Sequence, residues 1–306
     1  MNQQQVGVVQ MTTAMALSGG VGLWATWAAM PSVGVVFWRC VFGFIALLGF
    51  MLFTGRIHRG WISRPQVLWS LAAGTALVLN WVCFFQSFRY VSIGISTIVY
   101  QAQPLLVVLG GMVFFKERMG LNRWLWLGLG LVGMVALVLA RGGVSLSGDH
   151  YLLGIALSLA AATFYAAGTL IAKCMPKTPA TTVTLMQVLV GMLIMSALGA
   201  LAYVPQTPVQ WLSVGMLGAV NTALMMSLVY AAISRLPTYV FAALSFVYPL
   251  VAVLLDWWVF GHVLNAWQIL ATVFIVLAVM GMNLNWSIGF KSKRPESTTG
   301  CCTWYA

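Results

Sequence analysis

The chain has 306 residues, 61% of them apolar and only 6% charged, with fifteen Lys and Arg against four Asp and Glu. A soluble domain carries about 25% charged residues, so the composition excludes a soluble globular fold and indicates an integral membrane protein. The net charge of +11 does not point to a nucleic-acid partner, because the basic residues sit at the ends of apolar runs, where they set orientation.

Ten apolar segments follow one another at roughly 8–29, 32–54, 65–88, 91–115, 121–140, 151–173, 181–203, 209–233, 238–260 and 265–287, each near the ~20 residues that cross a bilayer. They predict ten spans with short connections and a polar tail, 291–306. The first is read as a span and not as a cleavable signal, since Met1 to Val9 lacks Lys and Arg and its apolar stretch exceeds the usual ~7–15 residue core. Gly19-Gly20-Val21-Gly22 in span one, and Gly128, Gly130 and Gly133 in span five, predict close helix packing through small residues.

Span four is interrupted by Tyr100-Gln101-Ala102-Gln103-Pro104. Proline has no N–H and crowds the carbonyl four residues earlier, so Pro104 breaks the helix near mid-membrane and frees the Tyr100 carbonyl. Hydrocarbon offers no hydrogen bonds, so this polar break must face protein or a water-filled cavity. Span nine repeats the device at Ser245-Phe246-Val247-Tyr248-Pro249, where Pro249 frees the Ser245 carbonyl. Broken helices in corresponding places of two halves are the sequence pointer to a transporter's substrate site.

With the N-terminus in the cytoplasm, the inner connections hold Arg56, Arg59, Arg64, Lys116, Arg118, Arg123, Lys173, Lys177, Arg235, Lys291, Lys293 and Arg294. The outer ones hold only Arg89 and Arg141, with Arg39 left inside span two. By the positive-inside rule both termini are cytoplasmic. A shift of about 145 residues brings Pro104 onto Pro249, Phe115 onto Phe260 and, within one residue, Arg89 onto Arg235, while Asn122-Arg123-Trp124 meets Asn265-Ala266-Trp267. Five spans per half make the second copy enter the membrane from the opposite side. The expected fold is an all-α membrane protein of ten helices in two inverted five-helix repeats, 1–145 and 146–290, with the substrate site where the repeats meet.

Gly22-Leu23-Trp24-Ala25, Trp38-Arg39, and the pattern from Tyr90-Val91-Ser92 through Gln103-Pro104 to Phe115-Lys116-Glu117-Arg118 resemble the bacterial drug/metabolite transporter superfamily, in particular its ten-helix branch with paired EamA repeats. The resemblance covers about residues 8–288. It implies a carrier of the cytoplasmic membrane that exports amino acids, related metabolites or toxic compounds through a cavity lined by spans 1, 3, 4, 6, 8 and 9. Two positions depart from the family pattern: its Gly-Glu after span four reads Lys116-Glu117, and the second half has Gly261-His262 with no acid.

The candidate substrate-binding residues are Tyr100, Gln101, Gln103, Asn80, Trp81, Phe85, Trp24, Tyr165, Asn221, Ser245 and Tyr248. Neutral amides and phenols can hold a carboxylate, an ammonium or a hydroxyl without burying a fixed charge, and aromatic walls can bind a cation over a ring. Gln101 and Gln103, two residues apart, point about 200° from one another on a helix, so one is expected between helices and the other in the cavity. Trp and Tyr also belong ordinarily to bilayer interfaces. Arg39 and Asp256 are the charged residues well inside apolar segments, and they are expected to interact on the outer side as a gate or charge pair; the alternative has Arg39 snorkelling or bound to backbone carbonyls. Glu117 reads as a solvated helix-end charge pairing with its neighbours Lys116 and Arg118.

His58, His150 and His262 share no ligand spacing, and Cys40, Cys83, Cys174, Cys301 and Cys302 read as scattered packing or tail residues. No metal, cofactor or catalytic constellation is expected. These features predict a secondary, non-ATP carrier with a small-molecule substrate and the bilayer as partners, compatible with a monomer, exporting an amino acid or a related metabolite. The alternatives are efflux of aromatic or cationic toxic compounds and, from another class, a non-transporting membrane enzyme or scaffold.

Overall fold

A computed structural model of the chain describes residues 2–55, 63–91, 93–140, 151–175, 178–260, 266–284 and 286. The sequence features at Arg56, His58, Arg59, Ser92, Arg141, His150, Lys177, Gly261, His262, Asn265, Lys291, Lys293, Arg294, Cys301 and Cys302 lie outside the described residues, as do the side chains of Pro249, Asp256 and Phe260.

Helix α1 (Gln3–Gly19) opens on a capping box in which the Asn2 side chain accepts from Gln4 N and the Gln5 side chain accepts from Asn2 N. It stops at Gly20 and continues as α2 (Val21–Ala28), so the first span is a broken helix. Pro31, which disfavours helix in the residue before it, precedes α3 (Ser32–Phe53). Then come α4 (Arg64–Ser87), α5 (Ile93–Tyr100), α6 (Ala102–Phe114), α7 (Leu121–Ala140) and α8 (Tyr151–Lys173). Helix α9 (Ala180–Ala197) is followed by α10 (Pro208–Gly218), capped by Thr207 with Pro208 in the first turn, then by a π-helical turn, Ala219–Leu224, and α11 (Met225–Ile233). The chain ends in α12 (Thr238–Leu244), α13 (Val247–Phe260) and α14 (Ala266–Asn283).

Eight of these helical runs are long and apolar enough to cross a membrane: Gln3–Ala28, Ser32–Phe53, Arg64–Ser87, Ile95–Phe114, Tyr151–Lys173, Ala180–Ala197, Pro208–Ile233 and Ala266–Asn283. The other two expected spans fall on α7, whose apolar stretch Leu121–Leu137 is shorter, and on the interrupted pair α12 and α13. Phe53, Val113, Leu152, Trp258 and Trp267 are exposed; large apolar side chains in that position are the face that meets acyl chains.

The chain forms two compact units, Met1–Val78 with Ile171–Arg235, and Leu79–Leu170 with Leu236–Ala306. In unit one α3 packs on α9 and α10, α1 runs along α11, and α2 lies on α10. The approach of α3 to α10 needs glycine: a Cβ on Gly218 would stand 2.8 Å from both Gly43 N and Arg39 O. In unit two α7 runs along α14 and α6 packs on α12 around a core of Leu127, Met134, Phe246 and Ile275. Gly130 and Gly133 serve that packing as expected, with a Cβ on each meeting Phe246 or Ile275 within 3.0 Å. Gly22 and Gly128, expected to do the same, would place a Cβ with nothing inside 4 Å of it, so no helix approaches closely there, and Gly20 marks the break between α1 and α2. Each unit takes helices from both halves of the chain, so the compact units cut across the sequence repeats.

Candidate functional site

The polar break in span four has the form its proline dictates. Helix α5 ends at Tyr100, Gln101 alone forms a turn, and α6 starts at Ala102. Gln101 N is shared between Thr97 O and Ile98 O, both at 3.1 Å. In the second half α12 ends at Leu244, Ser245 and Phe246 form the turn, and α13 begins at Val247. The two breaks occupy corresponding places, and a hydrogen bond joins them: Gln101 Nε2 donates to Tyr248 Oη at 3.2 Å. Gln101 is 1% exposed, so this bond forms where a lost partner would not be replaced by water. The Ser245 hydroxyl is committed within its own turn, donating to Ala242 O at 2.6 Å.

Around this joint, still within unit two, α4 and α8 supply the rest. Asn80, 1% exposed on α4, donates through Nδ2 to Tyr100 Oη at 3.0 Å and to Ala161 O of α8 at 2.8 Å. Phe84 lies one turn beyond Asn80, its ring 4.5 Å from that of Tyr100. Tyr165 lies one turn beyond Ala161 and meets Tyr100 edge to face at 6.4 Å. Phe85 and Phe88 extend the aromatic face at 6.0 Å from each other, and Trp81 is buried beside Asn80 in sequence. Ser96 of α5 is within 2.7 Å of Ser158 of α8 and also bonds Ser87 of α4, so hydroxyls tie the same three helices together about one turn from Tyr100.

Gln103 is 6% exposed and its Oε1 has no hydrogen-bond partner. Buried amide oxygens almost always accept a bond, and this one is left without a partner. Both glutamines are buried: Gln101 is bonded to Tyr248, while the Gln103 Oε1 has no partner. Aromatic faces, phenol hydroxyls and amides make a surface that can hold a small amphiphile and attract a cation over a ring. No group of three His, Cys, Asp or Glu that could hold a metal ion occurs among the described residues.

Of the other expected site residues, Trp24, Arg39 and Asn221 belong to unit one. Trp24 meets Trp27 edge to face at 5.4 Å and packs on a cluster that includes Ala28, Val35 and Leu217. Asn221 sits in the π-helical turn and donates Nδ2 to Leu17 O at 2.6 Å, next to the break at Gly20. Thr222, beside it, donates to Leu217 O at 2.8 Å and accepts from Arg39 Nε at 3.0 Å. The buried guanidinium thus takes a hydroxyl in the π turn, an element frequently found at functional sites. Thr222 and the Leu17 carbonyl are not singled out by the sequence reading; the polar pair Asn221-Thr222 inside an apolar run is the available signal.

Glu117 is also placed differently from its expected helix-end role. Lys116, where the family pattern has glycine, takes φ +53°, and Glu117 N returns to Gly111 O at 3.3 Å, closing α6. This turn carries the half-buried carboxylate to the start of α12, where Oε2 accepts from Thr238 N at 2.8 Å and Thr238 Oγ1 at 2.7 Å. The sequence neighbours Lys116 and Arg118 could not reveal this, because Thr238 is 121 residues away.

The model of the EamA-like transporter family matches residues 5–139 and 152–284, which cover α1 to α7 and α8 to α14 apart from a residue or two at the ends of α1, α7 and α8. The chain belongs to the EamA-like transporter family. This EamA-like transporter is 30% identical over 285 residues to a Bacillus subtilis protein described as an uncharacterized transporter, YxxF, covering 92% of this chain and 90% of that one. It is 30% identical over 121 residues to an uncharacterized transporter of Vibrio cholerae, 38% of this chain and 39% of that one. A solved structure titled "Crystal structure of protein" superposes with a TM-score of 0.82 at 19% identity over 91% of this chain and 98% of its own, so the transporter shares its fold.

Proposed function

We propose that this membrane transporter is a secondary carrier that exports a small metabolite, such as an amino acid or a related compound, across the bacterial cytoplasmic membrane by alternating access. Its ten spans form two inverted repeats with both termini cytoplasmic. The observation that carries the reading is the bond from Gln101 to Tyr248, which ties the helix break of one repeat to that of the other. Tyr100, Tyr165 and Phe84 supply aromatic faces beside it, and the open acceptor on Gln103 suits an ammonium or hydroxyl donor. Efflux of aromatic or cationic toxic compounds is the second reading, and the same ring cluster favours it. The test is counterflow of radiolabelled amino acids and of a lipophilic cation in proteoliposomes, with Gln101→Leu and Gln103→Leu as variants. At least one variant should abolish flux while the protein remains folded; two variants with normal flux overturn this site.

A further inference from the structure

A cavity of about 460 Å³ lies entirely within unit one, at the end of α11 next to Arg235. Arg235 Nε donates to Gln3 Oε1 at 3.1 Å, and Nη1 donates to Gln10 Oε1 at 3.1 Å and Ala231 O at 2.8 Å. These acceptors hold the guanidinium in place without neutralising it.

The same cavity is lined by the start of α9. Its N-cap residue is Pro179, which makes no side-chain cap bond, so no cap side chain serves the first N–H groups of this 18-residue helix; such an end attracts anions. Two hydroxyls flank it. Thr178 is 7% exposed, and neither its Oγ1 nor that of Thr181 has a hydrogen-bond partner. A fixed cation, a helix start without a side-chain cap and two unpartnered donors therefore line one space. The rest of the lining mixes Ser227, Tyr230 and Ser234 with apolar side chains, of which Phe50 and Leu224 are open at 47% and 51% exposed.

We propose that this cavity binds the phosphate of an anionic phospholipid, with Arg235, Thr178, Thr181 and the α9 start on the headgroup and the acyl chain along Phe50 and Leu224. Basic pockets between membrane helices on the cytoplasmic side recognise such headgroups, and the charge distribution assigns the Arg235 end of α11 to that side. The head chemistry is shared with free phosphate, whereas the open apolar side chains favour the lipid.

The test uses delipidated full-length protein in neutral detergent, with native mass spectrometry and thermal unfolding after addition of phosphatidylglycerol, phosphatidylcholine or inorganic phosphate. Phosphatidylglycerol should be retained and should raise the melting temperature, while phosphatidylcholine and millimolar phosphate should not. Arg235→Gln should weaken phosphatidylglycerol binding about tenfold, the scale of one charge-assisted hydrogen bond. Thr178→Val removes a hydroxyl that bonds nothing in the protein, so it should leave the lipid-free melting temperature unchanged and still weaken the lipid. Equal effects of the two lipids, or unchanged phosphatidylglycerol binding in Thr178→Val and in any folded Arg235→Gln, would overturn the proposal. Stabilisation by inorganic phosphate equal to that by phosphatidylglycerol would overturn the lipid as occupant and make the ligand a soluble anion.

Discussion

Asn80→Leu removes at one stroke the 3.0 Å bond to Tyr100 Oη and the 2.8 Å bond to Ala161 O, while leaving a side chain of similar volume in a fully buried position. In a soluble protein each stranded group would cost ~1–3 kcal/mol. Between membrane helices the measured coupling of such bonds averages ~0.6 kcal/mol and reaches at most ~1.7, so two bonds amount to about 1 kcal/mol and no more than about 3.4. At ~2–4 °C per kcal/mol for chains of about 150–250 residues, the average coupling lowers the melting temperature by only a few degrees. Flux should fall far more, by at least about tenfold, because Asn80 sets where the Tyr100 ring and hydroxyl stand, and misplacement at a site is costly. Tyr100→Phe removes only the shared bond, so a double-mutant cycle in thermal unfolding should return a coupling of about 0.6–1.7 kcal/mol. Proteoliposome flux is measured on the same four proteins. Normal flux in Asn80→Leu, with the melting temperature lowered as calculated, would make the cluster a structural knot and refute the assignment of the site.

Glu117→Ala should lower stability by about 1–2 kcal/mol in thermal unfolding, since the carboxylate caps the first turn of α12 through Thr238; Glu117→Gln, which keeps an acceptor, should lose less. Lys116→Gly should raise stability by about 1 kcal/mol, because φ +53° is strained for lysine and open to glycine. Gly218→Ala should cost ~1–3 kcal/mol through its approach to Gly43 N, whereas Gly22→Ala, with nothing within 4 Å of the new carbon, should be neutral or gain up to about 1 kcal/mol from helix propensity. On a cysteine-free background, single cysteines at Gly120 and Gln206 should respectively resist and accept an impermeant thiol reagent outside intact cells; ready labelling at Gly120 would invert the orientation.

Both helix breaks were legible because proline acts locally: Pro104 and Pro249 remove a donor whatever surrounds them, and the turns at Gln101 and at Ser245-Phe246 follow. The break at Gly20 and the π turn at Asn221 were not, since Gly20 read equally as a packing glycine and a π turn depends on what its freed groups find, here Leu17 O and Arg39. Nor could the chain order show that Ser245 bonds its own turn while Tyr248 reaches Gln101.

What the sequence determined by itself is the medium and the repeat. Runs of apolar residues have no stable place but lipid or a protein interior, and a self-match at about 145 residues, seen again in the family segments 5–139 and 152–284, makes the two halves copies of one unit. Only the tertiary structure decided which helices pack together. In a bilayer helices are sorted by small-residue fit and by buried hydrogen bonds, hydrophobicity being no discriminator there. Pairs such as Gly43 with Gly218, Asn80 with Ala161, and Glu117 with Thr238 join positions far apart in the chain, and they build compact units that each draw on both repeats.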